Sequence, residues 1–263
     1  MEIFVIFTTI IMSLFSVSGF VLNNSLTSII RNKSESVEEV NVRVNSIPTH
    51  QLLKGETDSI QLSLKQWQVT PYLKLDLLEL EGDRLKLNLR EIKGITANNW
   101  QKALKSPVNI GWRMVMTEND LNKIIMSPPA QSIISKSTGN SSQSDFELLD
   151  LAFNLQPNNR IFLDSKIKLP IRGEEILNVH LELSMELKKG HTLIIKDLQG
   201  TLNNRQLSSK LLQGFADNIN TQLSLRNLEK SGITMRILQL NTDKDKLEIA
   251  GFVHLKPDLD KVN

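Results

Sequence analysis

The stretch ILNVHLELSMELKKG, residues 176–190, decides how the chain is read. From Leu177 through Val179, Leu181, Leu183 and Met185 to Leu187 every second residue is apolar, and most residues between them are polar or charged. Successive side chains of a strand point to opposite sides of its sheet, so such a strand has one oily face and one wet face. The question it raises is what the oily face is buried against.

Working outward, the same alternation recurs along the chain. It is seen at Val40, Val42 and Val44, at Ile60, Leu62 and Leu64, at Leu73, Leu75 and Leu77, and at Leu85, Leu87 and Leu89. It continues through Ile110, Trp112, Met114 and Met116, and returns in FELLDLAFNL, RIFLDSKIKLPI, TLIIKDLQGTLN, ITMRILQLN and KLEIAGFVHL. Between Leu77 and Leu78 the phase shifts, which marks a bulge. Gly82-Asp83, Pro157-Asn158-Asn159, Arg172-Gly173 and Lys189-Gly190 are turn signals. Short connections of this kind favour antiparallel sheet.

Two segments carry helical spacing instead. In MTENDLNKIIMSPP, Thr117 is an N-cap, and Leu121, Ile124 and Ile125 form an apolar stripe that Pro128 and Pro129 end. The acids of its first turn complement the helix N-terminus, which is reason enough for them without catalysis. In RQLSSKLLQGFADNINTQLSLRNLEKSGI, residues Leu207, Leu211, Phe215, Ile219 and Leu223 fall four apart, the pattern of a long amphipathic helix, and a shorter helical piece around Leu225 and Leu228 ends at Gly232. Gly214 inside it costs about 1 kcal/mol against alanine and so points to a close backbone approach. The serine-rich residues 135–144 read as a flexible loop between two halves, near 132–145. The order of elements predicts an α+β fold, with curved antiparallel sheets wrapped against the long helix.

At the N-terminus, residues 3–22 carry no charge and are long enough to span a bilayer as a helix. Ile3, Phe4, Phe7, Ile10, Ile11, Leu14 and Phe15 would form a membrane anchor. No basic segment precedes them, although Ser16 and Ser18 before Gly19 would suit a signal peptidase. Leu22, Leu26, Ile29 and Ile30 continue at helical spacing to about Asn32. An uncleaved anchor ranks first, a cleaved signal second and a helix packed in the protein third. The expected organisation is an N-terminal apolar helix over 1–32 and one domain over 33–256.

Composition narrows the function. Lysine plus arginine number 31 against 29 acids, a formal charge of +2, so no strong field draws nucleic acid. The absence of cysteine excludes disulfides, thiolate metal sites and a cysteine nucleophile. With aromatics at 5%, the oily faces are aliphatic, which suits acyl chains as well as a protein core. His50, His180, His191 and His254 stand apart, with no metal-ligand spacing. His180 and His254 fall on the polar phase of strands, as do Asp76, Glu79, Glu182 and Glu186. No GxSxG, phosphate loop or HExxH motif occurs, so no catalytic residue, metal or cofactor is assigned.

Residues 40–89 together with MTENDLNKIIMSP and LLQGFADNINTQLSLRNLEKSGITMRILQLN resemble the LmeA-like phospholipid-binding proteins, their cyanobacterial branch in particular. The resemblance rests on the LLKG turn (52–55), the TENDLN helix start (117–122) and the GF…IN…L helix (214–223), and it runs from about Gly19 to Val253. It implies a cell-envelope protein that binds phospholipid and is not an enzyme. It also implies a tubular fold with sheet around a long helix.

The leading expectation is a membrane-associated lipid-binding protein. Leu181, Leu183 and Met185 on the sheet, with Leu211, Phe215 and Ile219 on the helix, would line a groove for acyl chains. The alternative is that these faces pack as a dry core, and that the protein is a membrane-anchored assembly factor recruiting a protein partner. A hydrolase with a dispersed site comes third.

Overall fold

The structure is a computed structural model that describes residues 27–28, 30–32, 34–47, 49–91, 100–131, 147–169, 175–222 and 224–258. The strands are β1 (Glu39–Asn45), β2 (Glu56–Thr57), β3 (Ser59–Gln68), β4 (Lys74–Gly82), β5 (Leu85–Lys86) and β6 (Val108–Thr117). Helix α1 (Glu118–Ile125) follows, then β7 (Glu147–Gln156), β8 (Arg160–Leu169), β9 (Glu175–Lys188), β10 (Thr192–Leu202) and β11 (Arg205–Gln206). Helix α2 (Ser209–Gln222), β12 (Ile233–Thr242) and β13 (Lys246–Leu255) complete the order.

The alternating runs become two antiparallel sheets. The first has six strands in the order β1-β3-β4-β6-β13-β12, and the second has five in the order β11-β10-β9-β8-β7. The pair β2–β5 stands apart. Three tight hairpin turns have both central residues in the left-handed region: Asn158-Asn159, Lys189-Gly190 and Asn203-Asn204. That geometry matches the right-handed twist of the strands it joins, and asparagine and glycine tolerate it.

Most of the core lies on the inner face of the first sheet, at Leu62, Leu64, Leu78, Leu80, Ile110, Ile233, Val253 and Leu255. The second sheet joins it end-on. Leu155 and Ile161 belong to the same cluster, and Leu183, Met185 and Leu187 pack against it. The hairpin tips of the second sheet seat on the edge strand β12. Ile237 N donates to Gly190 O at 2.7 Å, and Thr242 N donates to Asn159 Oδ1 at 3.0 Å. The phase shift in β4 has a counterpart on β3. Burial changes phase from Leu75 to Leu78 and from Leu64 to Trp67, around Gln66, whose φ is 49°. The ladder skips Gln66 and Asp76 and then resumes in the same register.

The expected α+β architecture, with sheets wrapped against a long helix, is overturned. The molecule is mainly antiparallel sheet, and the long helix is shorter than expected, while the separate short piece around Leu225 and Leu228 that ends at Gly232 is present. Arg205–Gln206 is a strand, α2 covers 14 residues, and Leu225–Ser231 is a separate 3-10 turn capped by Ser224 and by left-handed Gly232. At 1.5 Å per residue α2 is roughly 21 Å long, whereas the 14 residues of β9 extend roughly 46 Å at 3.3 Å each. A helix that short cannot serve as the axis of these sheets. Among its described side chains the buried ones are Leu212 and Ala216, whereas Leu211 and Phe215 of the expected stripe are 59% and 46% exposed. The one-residue offset arises because α2 presses a narrow strip, with a small alanine in it, against β10.

Gly214 is also reassigned. A Cβ built there meets nothing within 4 Å, so no backbone approaches it. Replacement by alanine is therefore expected to stabilise the protein by about 0.5–1 kcal/mol through helix propensity and unfolded-chain entropy. A urea midpoint that moves upward with unchanged slope is the outcome that checks this.

The start of α1 follows the sequence pattern closely. Thr117 Oγ1 accepts from Asp120 N at 3.1 Å, and Leu121 and Ile124 pack on the core. Pro128 and Pro129 end α1 and open a further helical turn over 128–131, where their missing N–H groups cost nothing. The chain is helical at 27–28 and 30–32, with Ile30 buried. The expected anchor residues from Ile3 to Phe15 and the serine-rich loop lie outside the described residues. Among those residues no helix is long and apolar enough to cross a membrane.

Candidate functional site

The second sheet presents the unusual surface. On its β9 strand only Leu181 is buried; Leu177, Val179, Leu183, Met185 and Leu187 are half-buried. Antiparallel register sets Leu163 opposite Leu181, Ser165 opposite Val179 and Ile167 opposite Leu177. Leu163, Ile167, Leu177 and Val179 do not join the core cluster that Leu183, Met185 and Leu187 touch. The apolar side of β9 is therefore half-buried along its length except at Leu181; its near end rests on the core cluster and its far end lies outside it, beside the buried Ser165 and Leu151.

Each edge of this sheet is closed by a helix that offers an asparagine. The Asn122 side chain of α1 pairs with both backbone groups of Phe153 on β7. Its Nδ2 donates to Phe153 O at 2.8 Å, and its Oδ1 accepts from Phe153 N at 2.6 Å. Two residues along, Leu155 N donates to Glu118 Oε2 at 2.7 Å. On the opposite edge Asn220 of α2 accepts from Ile195 N of β10 at 2.7 Å, and Leu225 N donates to His191 O at 2.8 Å. These side chains satisfy strand groups that a neighbouring strand would otherwise claim. The two helices flank the apolar face like rims.

The wet face of the same sheet carries ionic pairs. His180 Nδ1 lies 2.7 Å from Asp164 Oδ1, with Glu182 Oε1 3.6 Å from Nε2. Arg160 reaches Glu182 at 3.5 Å and stacks over Phe162. The hydrogen bond that His180 donates to Asp164 raises the His180 pKa above its ordinary value, and partial burial opposes this. A histidine with a raised folded pKa adds stability fully below its unfolded pKa and loses it as pH rises through the folded value. The His180 imidazole is thus expected to titrate above ~6.5 by NMR, and Asp164→Asn to return the midpoint toward it. A midpoint unmoved by Asp164→Asn would show that the pair does not form.

The first sheet has a hollow on its outer face of about 740 Å³, bordered by Asn41, Arg43, Ser63, Glu81, Gly111 and Leu238 among others. Its floor is crossed by Arg113, which bonds Glu79 at 3.1 Å and Glu248 at 2.7 Å. A lining of mutually paired charges does not suit an acyl chain. Among the described residues no group of three or more histidines and acids could hold a metal ion.

A family model described as LmeA-like phospholipid-binding matches residues 17–252. The chain belongs to that family. The match takes in both sheets and both helices. The family is one of phospholipid-binding proteins, not of enzymes. No curated protein sequence matches the chain.

The family-like segments contain the two edge-closing residues: Asn122 ends TENDLN and Asn220 stands in GF…IN…L. Sequence reading named both as members of these motifs and assigned neither a bond to a strand edge. Of the residues expected to contact lipid, the structure brings Leu181, Leu183 and Met185 onto one face of β9. Leu211 and Phe215 are exposed on α2, away from the residues that pack on the sheet, and the Ile219 side chain lies outside the described set. Sequence reading missed Leu163, Ile167, Leu177 and Val179 as a group, because their isolation from the core depends on how the two sheets meet.

Proposed function

We propose that this protein binds phospholipid without catalysis and lays the acyl chains on the far half of the β8–β9 face, between the rims made by α1 and α2. Residues 3–22 hold it at a membrane, consistent with a cell-envelope protein. The observation that carries the reading is the incomplete burial of β9. Of six alternating apolar residues only Leu181 is buried. A dry core would bury all of them, since each leucine removed from water stabilises the fold by roughly 1.5–3 kcal/mol. Ten acyl methylenes on this face would gain on the order of 8 kcal/mol at ~0.8 each, before the cost of ordering the chain.

The test is lipid extraction and mass spectrometry on the full chain purified in mild detergent, with Val179→Asp in parallel and circular dichroism to confirm folding. Val179 is half-buried and outside the core cluster, so the variant keeps its fold. Phospholipid bound to the wild type and lost from folded Val179→Asp supports the reading. Wild-type protein that carries no lipid and takes none up from phosphatidylglycerol vesicles sinks it.

A further inference from the structure

We propose that two copies of this chain associate through β1, antiparallel across a two-fold axis at Asn41, to join their six-stranded sheets into one. Three of the four sheet edges are closed. The hairpin tips of the second sheet seat on β12, Asn122 and Glu118 cap β7, and Asn220 with the chain after α2 closes β10. Strand β1 pairs with β3 on one side, and among the described residues nothing pairs with it on the other.

An open edge strand offers a row of unpaired N–H and C=O groups, and proteins usually blunt one with proline, lysine, a bulge or a cover. The seven residues EVNVRVN have no proline, no lysine and no register shift. Val40, Val42 and Val44 stay half-buried, because no further strand flanks them.

The strand is complementary to itself. A two-fold axis at Asn41 sets Glu39 opposite Arg43 of the second copy, twice by symmetry. It sets Val40 opposite Val42 on the inner face and Asn41 opposite its own copy. Opposite charges and β-branched pairs directly across a ladder are favourable, and like charges there are not. Within its own chain Glu39 bonds Lys65 at 2.7 Å and accepts from Asn41 Nδ2 at 2.6 Å, while Arg43 is exposed with no ion pair among the described residues. Pairing along one short strand buries less than a standard interface, so the dimer is weak and concentration-dependent. The association does not depend on lipid binding.

The chain has no cysteine, so one introduced thiol reports the register. Opposed Cα atoms in an antiparallel pair lie roughly 4.5–5.5 Å apart, within disulfide reach. Under mild oxidation in detergent, the full chain bearing Asn41→Cys is expected to form mostly covalent dimer. Asn45→Cys should stay monomeric, because the two thiols would lie eight positions apart, about 27 Å at 3.4 Å each. Adding Arg43→Glu to Asn41→Cys sets glutamate opposite glutamate and should reduce cross-linking at least tenfold. Equal cross-linking at both positions, none at either, or a monomer at every concentration by sedimentation would overturn the pairing. The absence of any cross-link would also be the outcome if the chain's own N-terminal residues cover β1.

Discussion

Replacing Asn122 by leucine is expected to destabilise the folded protein by about 2–4 kcal/mol, far more than its position near the end of a surface helix would imply. The substitution keeps the size of the side chain and removes its polarity. Phe153 N and Phe153 O would both lose their partner, and α1 covers them from water where Asn122 now binds them. An unpaired buried backbone group costs roughly 1–3 kcal/mol, so two of them account for the figure after partial relaxation. Asn122→Asp should lie between leucine and wild type, since it keeps an acceptor for Phe153 N and loses the donor to Phe153 O. Asn220→Leu removes one such bond, to Ile195 N, and should cost about half as much. Urea unfolding of the three variants gives the order. A leucine variant within about 0.5 kcal/mol of wild type would mean that water satisfies the β7 edge and that the helices do not close the sheet.

How much of this was legible in the sequence differs by element. Strands with period-two alternation were readable because burial on one face imposes the pattern, and β9 is the clearest case. The turns at Asn158-Asn159 and Lys189-Gly190 were readable because left-handed backbone selects those residue types. The N-cap at Thr117 was readable because capping is local. The long helix was misread for a physical reason. Its apolar spacing began at Leu207, but Ser208 accepts a hydrogen bond from Leu211 N and the helix starts only at Ser209. The shorter piece read around Leu225 and Leu228 does stand apart and end at Gly232. Periodicity gives the facing of each piece, while local side-chain bonds decide where a piece stops.

The candidate site was legible in chemistry and not in place. An aliphatic, alternating β9 announced an oily face, and the family resemblance suggested what would touch it. Which part of that face stays outside the core depends on where the second sheet meets the first, through contacts such as Thr242 to Asn159 that are 83 positions apart in the chain. Pair-specific, long-range contacts of this kind leave no local pattern. Asn122 and Asn220 show the same limit, for an asparagine that bonds a strand edge looks in sequence like one that faces water.

The second large effect separates core from binding surface on the same sheet. Leu155 is fully buried, belongs to the cluster shared by both sheets, and has its backbone N–H held by Glu118. Leu155→Ala should destabilise the protein by about 2–5 kcal/mol and lower its Tm by roughly 5–15 °C, because the rigid surroundings cannot collapse into the cavity. Amide protection should fall in both sheets together, since Leu155 is one of the few side chains through which they share a core. Leu177→Ala is the counterpart on the far half of β9. The residue is half-buried and outside that core, so its loss should cost about 1 kcal/mol or less while bound phospholipid falls. If instead Leu177→Ala destabilised the lipid-free protein as much as Leu155→Ala, the far half of the face would be core, and no acyl chain could be accommodated there.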